Sequence, residues 1–158
     1  MTPSIDQVRS LFRNHDLRCT RQRELVYTAL ASTVAHPTAE ELYRAVHDVE
    51  PGLSLATVYN TLEALVDCGL GRRLSNGAGP CHYDADMAPH VHVSMGDGEV
   101  RDVPEDLSHR LLAGVSPDLL KELEDRMGIR VASVNLQVMA AATAEPRVCR
   151  CAGACAEC

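Results

Sequence analysis

The sequence predicts an α+β fold in which an N-terminal winged helix-turn-helix domain precedes a small α/β dimerisation domain. Three observations lead to this fold class. The first eighty residues divide into segments with helical apolar spacing, two short strands joined by a glycine-rich turn follow, and the apolar period changes from about residue 85. The expected domains are residues 1–84 and 85–142, followed by a cysteine-rich tail at 143–158.

Capping signals mark where the helices of the first domain begin. Residues 5–14 carry apolar side chains at helical spacing, and a second, a third and a fourth helix each follow a residue that is favoured as an N-cap. The fourth helix is expected to end near a glycine. The residues concerned are, in order, Thr20, Thr38 with Glu41 placed for a capping box, Ser54 and Gly69.

The fourth helix is predicted to bury one face and to present a small polar face. The expected apolar face consists of Leu55, Val58, Tyr59, Leu62, Leu65 and Val66. The expected outer face consists of Ala56, Thr57, Asn60 and Thr61. A small polar surface at a helix N-terminus suits a helix that lies in the DNA major groove. The alternative for Tyr59 is packing at the edge of the core, with only its hydroxyl in water.

A basic hairpin follows this helix. Residues 71–74 and 81–84 form two short strands around a turn, and Arg72 and Arg73 lie on the first of them. This succession of elements, in which a recognition helix follows other helices and precedes a basic hairpin, is typical of a winged helix. The alternative is a small helical bundle whose polar face is simply solvated.

The second domain has a different pattern. Short strands are expected around the turn at residues 96–98, then a helix opened by Ser116–Pro117 and ended by Gly128. Residues 129–139 alternate as a strand with a bulge at Ser133. Two or three strands and one helix cannot bury both faces alone, so we expect this domain to dimerise.

Composition and charge limit the partners. Of 158 residues 46% are apolar, enough for a sizeable core, and 3% are aromatic, too few for base-stacking recognition of single strands. No apolar run approaches the roughly 20 residues of a membrane helix, so we expect a soluble cytoplasmic protein. The net charge is −7, but residues 1–23 carry five arginines against two aspartates. This asymmetry predicts that the first half meets a polyanion.

Histidines and aspartates in the second half suit a metal ion. His90 and His92 alternate along one strand and so project from one face. Asp84 precedes them, Asp102 lies beyond a turn that can fold it back, and His36 stands before the third helix. Imidazole and carboxylate ligands suit Fe²⁺ or Mn²⁺. The alternative is an ordinary strand with two surface histidines.

Several motifs resemble the ferric uptake regulator (Fur) family over about residues 5–140. They are His36–Tyr43, Ser54–Leu65 with its Ala-Thr-Val-Tyr, the His-x-His, and Thr20–Arg23, which is similar to the family's Thr-Pro-Gln-Arg. Within the family, Asn60 and Asp84 resemble the peroxide-responsive repressors more than the iron-type members. The fold expected from this resemblance is the one predicted above.

The resemblance also implies a function. His36, Asp84, His90, His92 and Asp102 would hold a regulatory Fe²⁺ or Mn²⁺ that clamps the two domains together. The clamped homodimer would bind a palindromic operator in double-stranded DNA and repress transcription, without being an enzyme and without a small organic substrate. In the peroxide branch, Fe²⁺ and hydrogen peroxide would oxidise His36 or His90 and release the clamp.

Other functions stay open at this point. The nearest is an iron- or manganese-status regulator of the same family that does not sense peroxide. A metal-dependent hydrolase or oxygenase would use His90, His92 and an aspartate, and a storage protein would hold metal in the tail. For a repressor, the residues we expect to contact DNA are Arg23, Thr57, Tyr59, Asn60, Arg72 and Arg73.

The cysteines depart from the family pattern. Most members carry a Cys-x-x-Cys after the His-x-His and another near the C-terminus, which together hold a structural zinc. Neither 94–98 nor 140–145 contains a thiol here. The tail supplies enough thiolates for a tetrahedral Zn²⁺ site, and the alternative is a flexible tail that binds metal or oxidises adventitiously. These thiolates are Cys149, Cys151, Cys155 and Cys158.

Overall fold

The computed structural model describes residues 2–75, 79–96 and 98–141. Within them the chain forms helices and short strands in an order that agrees with the predicted α+β class. The helices are α1 (Ile5–Asn14), α2 (Arg21–Ala31), α3 (Ala39–His47), α4 (Leu55–Asp67), α5 (Glu105–Ala113) and α6 (Pro117–Met127). The strands are β1 (Arg72–Leu74), β2 (His82–Asp84), β3 (His92–Ser94), β4 (Val100–Asp102) and β5 (Gln137–Met139).

The predicted caps of the first domain are confirmed. The side chains of Thr20, Thr38 and Ser54 each accept a hydrogen bond from the backbone N–H three residues further on. Thr38 and Glu41 form the full capping box, because the Glu41 carboxylate also accepts from the Thr38 N–H at 2.8 Å. Helix α4 is followed by Gly69 in the left-handed region, at φ 75°.

Helices α1 to α4 and the strand β2 surround one apolar core. Its members include Val8 and Phe12 of α1, Leu42 of α3 and Leu62 of α4, all of them at most 2% exposed. The predicted face of α4 needs one correction, because Thr61 is buried and Tyr59 is 39% exposed. Helix α4 packs against α2, α3 and β1 together, so its buried arc is rotated towards Thr61 and away from Tyr59.

Two small sheets follow α4. Strands β1 and β2 are antiparallel with Arg72 opposite Asp84, as the hairpin prediction requires; residues 76–78 of its turn are outside the described residues. The second sheet has the order β4-β3-β5, in which β3 is antiparallel to β4 and parallel to β5. In this sheet His92 pairs directly with Asp102.

The second domain differs from its prediction in two elements. Helix α5 was not expected, although Leu107, Leu111 and Leu112 follow helical spacing after Pro104. The long strand over 129–139 is wrong, because only Gln137–Met139 pair with β3 and the stretch around Ser133 has no strand partner. Alternating side chains make a strand only where a neighbouring strand can accept the backbone hydrogen bonds.

Helix α6 begins and ends as predicted, with Pro117 in its first turn and Gly128 in the left-handed region. None of its residues is buried. Its apolar side chains Leu119, Leu123 and Met127 are 62%, 42% and 64% exposed in the single chain. No described helix has the length and apolar character to cross a membrane.

Candidate metal centre and nucleic-acid interface

His36, one of the five predicted metal ligands, lies on a constrained loop that precedes α3. Its backbone lies in the left-handed region at φ 48°, which is uncommon for a residue with a side chain. Two contacts with β2 hold this loop: the Nδ1–H of His82 donates to the His36 carbonyl at 2.6 Å, and the Tyr83 N–H donates to the Pro37 carbonyl at 3.0 Å. The loop is therefore fixed to β2, and the His36 ring is 3% exposed.

The second sheet brings the other ligands together. His90 lies just before β3 and His92 is its first residue, so their rings lie on one side with centroids 4.3 Å apart, as predicted. Asp102, at the end of β4, is folded back against them by the antiparallel register. The Nε2 atoms of His36, His90 and His92 lie 3.0, 3.2 and 3.5 Å from Oδ1 of Asp102.

Four of the five predicted ligands form one compact group. His36, His90, His92 and Asp102 each offer a ligand atom within 4.8 Å of the others. Asp84, the last residue of β2, stands beside this group, with Oδ2 at 3.3 Å from Nε2 of His90 and 3.4 Å from Nε2 of His92. His36 and Asp84 thus come from the part of the chain that carries α1 to α4 and the hairpin of β1 and β2, and the other three come from β3, the segment just before it and β4.

The hydrogen bond of His90 fixes where its lone pair points. Its Nδ1 lies 2.8 Å from the carbonyl oxygen of Ala88, which can only accept, so Nδ1 carries the proton. In the neutral ring, Nε2 then has its lone pair facing the carboxylate oxygens of Asp84 and Asp102. A lone pair facing two carboxylates is repulsive unless a cation, either a proton or a metal ion, lies between them.

Burial and hydrogen bonding favour the forms of these groups that bind metal. Burial lowers the pKa of His36, against the opposing pull of Asp102 and Asp84, and so favours the neutral ring. Burial opposes ionisation of Asp84, but the Asp86 N–H, which donates to Oδ1 at 2.7 Å, and the neighbouring imidazoles of His92, His36 and His90 together hold the pKa of that carboxyl below its usual value. Neutral imidazole and ionised carboxylate are the species that ligate metals.

The donor set fits a divalent metal ion. Nε2 of His90, Nε2 of His92 and Oδ2 of Asp84 are buried and have no hydrogen-bond partner among the described residues. Buried polar atoms without partners are costly, and here they converge on one point. Three imidazoles and two carboxylates suit Fe²⁺, Mn²⁺ or Zn²⁺, and the ligand types alone do not choose among these ions.

Sequence reasoning did not find the residues that support the centre. Ser108 of α5 is 1% exposed, and its hydroxyl accepts from the Val91 N–H at 2.8 Å, which fixes the residue between the two histidines. His82 of β2 supports the centre through its bond to the His36 carbonyl. The helical spacing of the α5 leucines could have predicted that helix, but no local pattern predicts that the Ser108 hydroxyl contacts Val91.

The polar end of α4 faces a shallow cleft beside α2. Ser54 caps α4 there, Asn60 is exposed, and the Arg23 guanidinium donates to the Arg18 carbonyl at 3.1 Å. Hydrogen-bond donors of several residue types therefore face solvent near the N-terminus of α4. The cleft is lined by Arg18, Thr20, Gln22, Arg23, Thr57, Asn60 and Thr61.

The other expected DNA contacts have partners within the chain. The Tyr59 hydroxyl donates to Glu40 at 2.7 Å, and this bond raises the pKa of Tyr59. Arg73 pairs with Glu63 of α4 and keeps a side chain that is 44% exposed. Arg72 does not point out from the wing as expected: its side chain is 13% exposed and is turned towards Asp84, so we leave it out of the DNA-contacting set.

Together the fold and the centre define a class: a winged-helix protein joined to a small α/β domain through a centre of histidines and aspartates. The chain belongs to the ferric uptake regulator family, whose pattern it matches over residues 14–138. The resemblance drawn from its motifs is confirmed. Membership in a family of regulators also confirms the expectation that the chain is not an enzyme.

Known relatives lie in this family. The chain is 36% identical over 88 residues to the peroxide-responsive repressor PerR of Staphylococcus saprophyticus, a match that covers 56% of this chain and 59% of that protein. The same repressor of Staphylococcus aureus is 35% identical over 81 residues. The chain spans little more than half the length of these curated relatives.

Solved structures agree with the fold. The ferric uptake regulator of Pseudomonas aeruginosa with manganese superimposes with a TM-score of 0.64 at 25% identity, over 85% of this chain and 97% of that one. The Vibrio cholerae ferric uptake regulator gives a TM-score of 0.62 at 23% identity, over 84% of this chain and 98% of that one, which supports the fold alone.

The predicted zinc ligands Cys149, Cys151, Cys155 and Cys158 lie outside the described residues and stay a prediction.

Proposed function

We propose that this protein is a metal-dependent transcriptional repressor that binds palindromic operator DNA as a homodimer. Residues 1–84 would bind DNA, and residues 85–142 would hold the metal with the first domain and dimerise. The observation that carries the proposal is the convergence of ligand atoms from His36, His90, His92 and Asp102 within 4.8 Å of one another, with Asp84 beside them. Family membership and the polar end of α4 support the DNA-binding part.

The ligands come from both domains, and this supports a clamp. His36 and Asp84 belong to the first domain, and His90, His92 and Asp102 to the second. A cation shared by all five would fix the angle between the two domains, and in a dimer that angle sets the spacing of the two recognition helices. Losing one ligand would therefore weaken operator binding without any change at the DNA surface.

We further propose that the regulatory metal is Fe²⁺ or Mn²⁺ and that the signal is hydrogen peroxide. Bound Fe²⁺ would supply the electron that starts peroxide reduction, and Mn²⁺ would hold the same shape without that chemistry. In the net reaction one peroxide oxygen is inserted into a ring C–H bond of His36 or His90 and the other leaves as water. The imidazole supplies both electrons overall, because the electron that iron would give first is returned by the oxidised ring and the iron ends as Fe²⁺. The similarity to PerR repressors over half the chain supports this signal.

A peroxide challenge tests the proposal. The Fe²⁺ and Mn²⁺ forms are treated with hydrogen peroxide, operator binding is measured by fluorescence anisotropy, and the peptides bearing His36 and His90 are weighed. We expect the iron form alone to lose its DNA and to gain one oxygen on a ligand histidine. An iron form that keeps its DNA with both histidines unchanged would leave the iron- or manganese-status regulator as the better account.

The same samples test the metal requirement. Metal-free protein is expected to bind operator DNA weakly and to recover when Mn²⁺ is added. His92→Ala removes a ligand that is 3% exposed, and His109→Ala removes an exposed histidine of α5 as the matched control. Equal recovery of the two variants would contradict a centre built on His92.

A further inference from the structure

Arg72 is a mostly buried side chain next to the proposed ligands, and its Nε is buried. It is the first residue of β1 and lies directly opposite Asp84 in the wing hairpin. Its side chain is 13% exposed, and its Nε lies 3.6 Å from Oδ2 of Asp84. Its Nη2 donates to the Ala88 carbonyl at 3.0 Å. The neighbouring Arg73 points the other way and pairs with Glu63.

The Ala88 carbonyl connects Arg72 to a second ligand. This oxygen also accepts from Nδ1–H of His90 at 2.8 Å, the bond that turns the His90 lone pair towards the centre. One side chain thus contacts a proposed ligand, Asp84, and the group that orients another, His90. Because Arg72 is on β1, it also joins the wing to the segment between the two domains.

Charge dominates the contact between Arg72 and Asp84. At 3.6 Å it is longer than a hydrogen bond, and neither Nε of Arg72 nor Oδ2 of Asp84 has a hydrogen-bond partner among the described residues. The guanidinium is always protonated, so a positive charge stays beside the carboxylate oxygen that also faces His90 and His92. A divalent ion bound to this oxygen would be repelled by that charge at a distance where little water intervenes.

We propose that Arg72 is a positioning residue that doubles as an internal competitor of the metal ion. Its charge stabilises Asp84 in the metal-free protein and weakens the binding of a divalent cation, so that the affinity lies below what the five ligands would give alone. Its hydrogen bond to Ala88 keeps His90 oriented in both states. This inference rests on the proposed function, because it requires the metal to bind at this centre.

Variants of Arg72 separate its charge from its geometry. Mn²⁺ affinity is measured by competition with a fluorescent chelator for the wild type, Arg72→Gln, Arg72→Lys and Arg73→Gln. We expect Arg72→Gln to bind Mn²⁺ about tenfold more tightly, since it lacks the charge. Arg72→Lys keeps the charge and Arg73→Gln leaves the centre untouched, so both should stay within about twofold of the wild type.

Thermal melting gives a second readout that needs no DNA. Metal-free Arg72→Gln should melt below the wild type, because Asp84 loses its counter-charge, and its gain in melting temperature on adding Mn²⁺ should be larger. If the glutamine variant does not fold, Arg72→Met keeps the apolar stem and takes its place. A purely structural role would lower the melting temperature with and without metal alike.

The outcomes distinguish this inference from the proposed function. Equal or weaker Mn²⁺ binding by Arg72→Gln overturns the inference, and so does equally tightened binding by Arg72→Lys. If the wild type binds no Mn²⁺, or if His92→Ala binds Mn²⁺ with the same affinity as the wild type, the proposed function fails and the inference fails with it. Tighter binding in Arg72→Gln alone supports both.

Discussion

At the scale of residues, the proposed metal centre depends on side chains that are not among its proposed ligands. Val91 lies between the two histidines of the His-x-His, and its N–H donates to the buried hydroxyl of Ser108. The Val103 N–H donates to the Val91 carbonyl at 2.8 Å, so this residue is held from two sides. A serine on a different element therefore helps to fix the backbone between His90 and His92.

Ser108→Ala tests this support. It leaves the buried Val91 N–H without a partner, and we expect unfolding free energy to fall by about 1–3 kcal/mol, measured by urea denaturation of the metal-free protein. Mn²⁺ affinity should fall too, because the two histidines are less well oriented. Ser116→Ala, at the α6 cap where no side-chain hydrogen bond forms, is the control; if both variants behave alike, Ser108 has no such role.

The recognition surface is tested at Asn60, which is exposed on α4 beside Arg23 and Thr57. An amide that pairs with a base edge contributes about 1–3 kcal/mol of discrimination, so Asn60→Ala should weaken operator binding by that amount and relax the preference at one base pair. Competition against scrambled DNA measures both. Asn14→Ala, at the exposed end of α1, should bind like the wild type, and an unchanged Asn60→Ala would exclude base contact there.

At the scale of elements, the start of α3 has two tasks. The side chains of Thr38 and Glu41 each accept from the other residue's backbone N–H, and Thr38 also forms an isolated β-bridge with His82. The strained backbone of His36 lies two residues before this cap. The start of α3 therefore helps to hold the left-handed backbone conformation that directs the His36 ring towards the centre.

Thr38→Ala tests the link between this cap and the centre. Losing an N-cap hydroxyl costs about 1 kcal/mol, so we expect a lower melting temperature for the metal-free protein. We also expect weaker Mn²⁺ binding, because the His36 loop gains freedom. Thr38→Ser keeps the hydroxyl and should restore both quantities; weakened binding in the serine variant as well would show that the hydroxyl is not the cause.

At the scale of the whole molecule, the described residues after β2 bury few apolar side chains, of which Val91 and Val100 are at most 2% exposed. The connected apolar core runs from Val8 to Tyr83, all within the first domain. The one fully apolar face of α6 is exposed, as are Ile129 and Met139 at 48% and 59%. An apolar surface of this kind on a small domain is typical of a subunit interface.

Leu123→Glu tests whether α6 lies in that interface. Leu119, Leu123 and Met127 are four residues apart and share one side of the helix, so a charge between them should weaken a dimer that buries this face by at least about tenfold. Sedimentation measures the association. Lys121→Glu puts the same residue on the opposite side and should leave it unchanged; a dimer that persists in Leu123→Glu would assign dimerisation to another surface.

The sequence by itself determined the local features of this protein. Helix caps at Thr20, Thr38 and Ser54 and the hairpin of β1 and β2 were predicted correctly, because capping and turn chemistry depend on residues within a few positions of each other. The family motifs, which are also local, were read correctly over residues 14–138. The resemblance to the family also named the proposed metal ligands as a set, and the structure brings four of them, from three separate stretches of chain, within 4.8 Å of one another.

Only the tertiary structure decided how distant residues meet. It brought Asp102 back onto His92, buried Thr61, turned Arg72 from the wing into the centre, and set Ser108 of the unexpected α5 against Val91. Strand register, the buried arc of a helix and the direction of a long side chain are set by the elements packed around them. Neighbours far apart in sequence leave no local periodicity from which these contacts could be inferred.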